Sequence, residues 1–270
     1  MKKTIIYFIV ALLVGSCSHP TKNSTEISSQ SPEPESEDLS NPQQALVIGN
    51  SEYEYSPLNH SINDAKGMAE TLRQMGFSVT VKINLNNHSM SEVINEFGQR
   101  LFDNQAQVGL FYFSGHGTRH DGDTFLLPIN NEKIQAEVDL TQNAVQAKTI
   151  LSHMEKSKKT LNIVILDAFY ENPYRGSDKK SSTRDDGGQM SLPRGSLIAL
   201  AAAPDQFALK SGDHSLYTTH LLNVLADAKN KRVEDVFMEA HELVIEASQG
   251  KQEPWYQASF REPFCFGGCL

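Results

Sequence analysis

The 270-residue sequence predicts an α/β domain, a mainly parallel sheet flanked by helices on both faces. Short runs rich in β-branched and aromatic residues, near 45–49, 77–83, 108–113, 162–166 and 196–202, alternate with segments of helical periodicity near 63–75, 90–103, 144–156, 215–228 and 233–248. Two of the runs, Val108-Gly109-Leu110-Phe111-Tyr112-Phe113 and Ile163-Val164-Ile165-Leu166, are apolar without alternation, the pattern of strands covered on both faces. After a polar N-terminal stretch about 225 residues remain, enough for one full core and a single domain, 44–270.

From the N-terminus, Lys2 and Lys3 precede an apolar core of about ten residues at 5–14, too short for a relaxed membrane span and suited to a signal-peptide h-region. Residues 18–43 are rich in Ser, Pro, Glu and Asn and poor in large apolar side chains. They cannot bury enough surface to offset their ordering entropy, so they are predicted to form a disordered tether. Asn63-Asp64 opens the first helical segment, whose apolar positions are Ala65, Met68, Ala69, Leu72 and Met75; a carboxylate there favours the helix N-terminus. Ser114-Gly115-His116-Gly117 follows the third apolar run, and its two glycines predict a sharp turn that sets the imidazole beyond a strand end. The fourth run stops at Asp167. In open α/β sheets ligands bind outside the carboxyl ends of the strands, so His116 and the 167–170 segment are candidates for one shared site. Between the last two runs, 175–190 is a polar stretch with Lys179-Lys180, Arg184 and Asp185-Asp186, predicted to be an exposed loop open to proteolysis.

Several blocks occur in one order over about residues 44–266: Ala45-Leu46-Val47-Ile48-Gly49-Asn50-Ser51-Glu52-Tyr53, Asn63-Asp64-Ala65, Gly76-Phe77 and Phe111-Tyr112-Phe113-Ser114-Gly115-His116-Gly117. The run ending at 167–170 comes next, then Leu197-Ile198-Ala199 with Ala201-Ala202-Ala203-Pro204, Ser215-Leu216-Tyr217-Thr218, Glu234-Asp235-Val236-Phe237 and Gln252-Glu253-Pro254-Trp255. This succession resembles the bacterial caspase-like proteins, of the peptidase family that also holds caspases, metacaspases and paracaspases. The resemblance implies a three-layer sandwich on a six-stranded, mainly parallel sheet, with a sixth strand near 259–266 running antiparallel at the edge. Caspases carry the catalytic His about 50 residues before the Cys. His116 stands roughly that far before position 169.

In that family a Cys thiolate attacks the scissile carbonyl, the His acts as acid and base, and backbone N–H groups hold the oxyanion. The resemblance therefore makes His116 the dyad histidine, Gly117 the glycine on the oxyanion side, and 169 the nucleophile position. Position 169 is Phe, which has no atom able to form an acyl intermediate. Tyr170 does not replace the thiol, because a phenol with a pKa of about 10 stays protonated. Ser114 lies on the other strand end and is not expected to act as nucleophile either. Phe169-Tyr170 puts two aromatics where substrate and thiol would meet, and aromatic burial adds packing of about 1–3 kcal/mol each. Asp64 and Asp167 match the acidic positions that in metacaspase-like members line a pocket for Arg or Lys, the charge complement of a guanidinium or ammonium.

Val14-Gly15-Ser16-Cys17 resembles a bacterial lipobox, which implies cleavage before Cys17 and a lipid anchor on it; Ser18 in place of Asp implies sorting to an outer membrane, facing the periplasm. Only Cys265 and Cys269 then remain, as a small disulfide loop or as two thiols. His116 and His120 with Asp121 and Asp123 form a glycine-rich loop rather than a metal site, since a His-x-x-x-His ligand pair needs a helix. There is no Gly-x-Gly-x-x-Gly and no Walker sequence, so no cofactor is expected. A net charge of −9 and a pI near 5.5 argue against a nucleic-acid partner. Three functions compete. The favoured one is a non-cleaving binding or regulatory module at the cell envelope, with protein or peptide partners bearing basic residues. The others are a hydrolase with a different nucleophile, cutting after Arg or Lys, and a purely structural envelope protein.

Overall fold

The computed structural model describes residues 40–157, 161–170, 192–203, 206, 208–260 and 263–269, with Phe169 and Tyr170 described along the backbone. Cys17, nearly all of the tether 18–43 and the linker 175–190 lie outside these residues. The elements follow in order as β1 (Gln43–Gly49), α1 (Ser61–Gln74), β2 (Ser78–Ile83), α2 (Asn87–Asp103), β3 (Val108–His120), β4 (Asp123–Leu126), α3 (Glu137–Asn143), β5 (Val145–Gln146), α4 (Ala147–Met154) and β6 (Leu161–Tyr170). The second half holds β7 (Ser196–Leu200), β8 (Lys210–Ser211), β9 (His214–Ser215), α5 (Leu216–Ala226), α6 (Val233–Ser248) and β10 (Trp255–Ser259).

The main sheet runs β10-β7-β6-β3-β1-β2, with β4 and β5 attached to the far end of β3. All its neighbours are parallel except β10, which lies antiparallel on β7 at the edge. Residues alternate between faces along each strand, and the sequence pattern resolves accordingly. Ala45, Val47, Leu110, Tyr112, Ile163, Ile165, Leu197 and Ala199 pack under α1, α5 and α6. Leu46, Ile48, Phe111, Phe113, Val164, Leu166, Ile198 and Leu200 pack under α2 and α4. Each helix turns one apolar stripe inward, such as Ala65, Met68, Ala69 and Leu72 on α1. The three-layer α/β architecture predicted from the alternation is the one found. Among the described residues no helix is long and apolar enough to cross a membrane.

Three local expectations change. Ser114-Gly115-His116-Gly117 is not a turn: β3 continues through it to His120, and the chain reverses only at Asp121 and Gly122, which have φ of 50° and 77°. Gly115 and Gly117 have no positive φ; they are glycines for want of space. A Cβ on Gly115 would stand 2.3 Å from the Tyr53 hydroxyl, and one on Gly117 would stand 2.8 Å from the Ala168 Cβ. The segment read as one helix at 144–156 divides, because Val145 and Gln146 pair with β4 before α4 starts at Ala147. The edge strand lies at Trp255–Ser259 instead of 259–266. Phe266 is instead buried in the core beneath α6, held by a backbone bridge from Cys265 to Arg232 and by a Cys265–Cys269 disulfide with an S–S distance of 2.13 Å.

The space around Gly115 sets an expectation. Gly115→Ala forces the Tyr53 hydroxyl or the Phe113 ring to move, and overpacking of this kind costs about 1–3 kcal/mol. Thermal unfolding should show a loss of about 2–10 °C. An unchanged melting temperature would mean that the strand end is not packed as described.

Candidate functional site

The site is built by the pairing of β3 with β6, which runs unbroken from Val108 opposite Leu161 to Gly117 opposite Tyr170. β1 leaves β3 at Ser114, and β7 leaves β6 at Leu166. Beyond those points the two central strands continue as a pair. In that extension Ser114 is opposite Asp167, and His116 is opposite Phe169. The strand ends that the sequence nominated separately are thus adjacent.

His116 is buried and held on every side. Its backbone N–H donates to the Tyr53 hydroxyl at 2.7 Å, and its carbonyl accepts from the Leu127 N–H at 2.9 Å. Tyr53 in turn donates to the Leu127 carbonyl, and its ring lies 4.5 Å from the imidazole, centroid to centroid. Burial pushes the Tyr53 phenol far above its ordinary pKa, so it stays a donor. Nε2 of His116 is 2.6 Å from the Ser56 carbonyl, which only accepts, so Nε2 carries the proton and Nδ1 is the basic atom of the neutral ring. Ser56 presents that carbonyl from a left-handed backbone with φ of 61°, a conformation costing about 1–2 kcal/mol for a residue with a Cβ. Gly117 follows in the strand, against Ala168.

Asp64 and Asp167 also come together, from α1 and β6, and both are wholly buried. On Asp64, Oδ2 accepts from the Ser114 hydroxyl at 2.9 Å. Its Oδ1 accepts from the Ser215 N–H at 3.1 Å and from His214 Nδ1 at 2.9 Å. On Asp167, Oδ2 accepts from the hydroxyls of Ser215 and Thr218, the latter at 2.6 Å. Ser215 is also the N-cap of α5, accepting from the Thr218 N–H at 2.8 Å, so the helix N-terminus is directed toward the same carboxylate. Tyr112 completes the chain on the Thr218 hydroxyl at 2.6 Å. Asp167 Oδ1 is buried and has no hydrogen-bond partner among the described residues.

Burial pushes both carboxyls up to about 7; hydrogen bonds from Ser114 and Ser215 pull Asp64 back, and the nearby Asp64 charge pushes Asp167 further up. His60, whose Nε2 is 4.0 Å from Asp64 Oδ2, is driven down to about 4, first by burial and then by Lys210, His116 and His214. The arrangement is two carboxyls in low dielectric with hydroxyl, amide and imidazole donors and, among the described residues, no Lys or Arg paired with them. Such a pair is completed by a guanidinium or an ammonium.

Residues 43–265 match the sequence profile of the caspase domain, peptidase family C14. The chain belongs to the caspase domain family. It is also similar to mucosa-associated lymphoid tissue lymphoma translocation protein 1 of Homo sapiens and to its homolog of Mus musculus, 29% identical over 124 residues in each case. That stretch is 46% of this chain and spans only 14% of the length of those curated relatives.

In this caspase domain the described site therefore contains the histidine, the following glycine and the acidic pair that sequence nominated, with position 169 in register with His116. Sequence reading missed His214, Tyr53, Tyr112 and the roles of Ser215 and Thr218. Ser215 with Thr218 three residues on was a readable helix-start signal. His214 gave none. The predicted loop around His120 is a hairpin end where His120 faces Asp121 and Glu137, and Lys148 holds Asp123. Among the described residues no group of three or more His, Cys, Asp or Glu is placed to hold a metal ion.

A carboxyl whose pKa is raised by folding favours the fold while protonated, and that contribution is lost as pH rises from the ordinary carboxylate range through the raised value, here about 7. His60 acts in the opposite sense at low pH, so the comparison of variant with wild type isolates the carboxyl. Asp167→Asn keeps an acceptor for Ser215 and Thr218. It should equal wild type in denaturant unfolding near pH 4 and exceed it by about 1–3 kcal/mol near pH 8. Lower stability than wild type at the higher pH would contradict the raised carboxyl.

Proposed function

We propose that this caspase-domain chain is a non-cleaving binding or regulatory module that captures basic side chains of peptides or proteins at Asp64 and Asp167. The observation that carries the reading is the identity of residue 169. The backbone partner of His116 is a phenylalanine, while both acidic residues keep buried, hydrogen-bonded seats. Acyl transfer by this family's chemistry begins with attack of a thiolate on the scissile carbonyl, and a phenyl ring offers no lone pair for it. Ser114 does not substitute, because its hydroxyl is wholly buried and donates to Asp64. What remains is a histidine fixed by Tyr53 and Ser56 with no thiol on its partner residue 169, and an acidic pair whose chemistry is cation recognition.

The N-terminal sequence extends the proposal to location. A lipid on Cys17 and a polar tether would hold the domain at the cell envelope, on an outer membrane and facing the periplasm, where partner proteins present Arg and Lys side chains.

Hydrolysis of Arg- and Lys-terminated fluorogenic peptides by the full chain tests the catalytic half. Wild type should be silent, and Phe169→Cys should gain turnover at least about 10³-fold above it that His116→Ala in the same background abolishes. Turnover by wild type would overturn the reading and require another nucleophile. The location half is read by labelled fatty acid, which wild type should incorporate and Cys17→Ser should not; equal labelling would remove Cys17 as the anchor.

A further inference from the structure

The acidic pair is shut. Asp64 and Asp167 both have no exposed surface, so a basic ligand cannot reach either carboxylate unless something moves. The donors on the pair show which group that is. Ser114, Ser215 and Thr218 are themselves wholly buried, and Ser215 contributes a backbone N–H fixed at the start of α5. His214 differs. Its side chain is 32% exposed and joins Asp64 Oδ1 to solvent through a single hydrogen bond of 2.9 Å.

Counting acceptor sites gives the same answer. Asp64 Oδ1 already accepts from two donors, and so does Asp167 Oδ2. Asp167 Oδ1 has none among the described residues. A guanidinium carries five N–H donors in a planar fork, and one oxygen does not satisfy it. Removing the imidazole from Asp64 Oδ1 opens a second acceptor on the other carboxylate and a route from solvent in the same movement. The exchange is like for like, one ring N–H for one guanidinium N–H.

The seat of the ring suits such a movement. It lies over the bare backbone of Gly67 on α1, where a Cβ would come within 3.3 Å of His214 Cε1. The residue sits on the two-residue strand β9, just after the turn at Gly212, which has φ of 64° and open space about it. Asn63 anchors the backbone one residue earlier by donating to the Asp213 carbonyl at 3.3 Å. The side chain can therefore rotate outward while the β8–β9 hairpin stays in place.

We propose that His214 is the gate of the acidic pair: its imidazole occupies the Asp64 position that a ligand's guanidinium takes, and binding requires its displacement. This rests on the basic-ligand reading above. The electrostatic partners of His214 are Asp64 of α1, His60 at the N-cap of that helix and Asp167 of β6.

The test is calorimetric binding of an Arg-terminated tetrapeptide amide, with its citrulline counterpart as the uncharged control, to the full chain as wild type and as His214→Ala. With both proteins at the same pH, the variant should bind the Arg peptide about tenfold more tightly than wild type, and neither protein should bind the citrulline peptide. In histidine-labelled NMR spectra of wild type, the His214 ring signal should move to its solvent-exposed position on saturation with the Arg peptide. Equal or weaker binding by His214→Ala, or an unmoved His214 signal in the saturated complex, would overturn the gate and leave the basic-ligand reading standing. Absence of Arg-peptide binding by both proteins, or equal binding of the citrulline peptide, would overturn both.

Discussion

The register of β3 on β6, continued past the ends of β1 and β7, is the constraint on which the site depends. Parallel strands in an open sheet normally end together, and their loops then diverge. Here the two central strands stay hydrogen-bonded as far as Gly117 and Tyr170, so residues of the extension are placed by a ladder and not by loop closure. That rigidity explains the side-chain economy around it. Gly115 makes room for the Tyr53 hydroxyl, Tyr53 holds the His116 N–H, and Ser114 and Asp167 stand opposite each other at the level where α1 delivers Asp64. One slip of β6 would turn Asp167 to the face covered by α2 and α4, away from Ser114 and Asp64.

Placing two carboxyls inside that framework is costly, and the protein offsets the cost only in part. Hydroxyls from Ser114, Ser215 and Thr218, the Ser215 amide and the N-terminus of α5 supply donors, while the burial that raises both pKa values remains. A structural role alone would be better served by apolar packing, since paired buried charges rarely stabilise more than an apolar replacement of the same shape. Retaining both acids while a phenylalanine stands in register with His116 is coherent if the site recognises cations and no longer transfers an acyl group. His214 fits that account as the one donor with a path to water.

Much of the fold was legible because its physics is local or periodic. The unbroken apolar run 163–166 has the pattern of a strand covered on both sides, and the spacing of Ala65, Met68, Ala69 and Leu72 that of one face of a helix. The errors fell where one residue type answers to two causes. Glycine serves both a positive φ and a close approach, and at 115 and 117 the cause was the neighbouring Tyr53 and Ala168, which sequence spacing cannot show. Likewise Phe264 and Phe266 carry a strand-like apolar pattern, but their rings fill the core beneath α6 because the Cys265–Cys269 loop turns the chain there.

By itself the sequence determined the chemistry available: a histidine and an acid at the ends of central strands, a second acid in the first turn of a helix, and a phenylalanine at 169. These follow from residue identity and short-range pattern. Only the tertiary structure decided that Asp64, 103 positions from Asp167 in the chain, shares a buried chamber of donors with it, and that His214, a further 47 positions on, donates to Asp64 from the solvent side. Proximity of that kind is set by how helices from distant segments dock on the sheet, and nothing in local composition encodes which polar groups the docking will bury together.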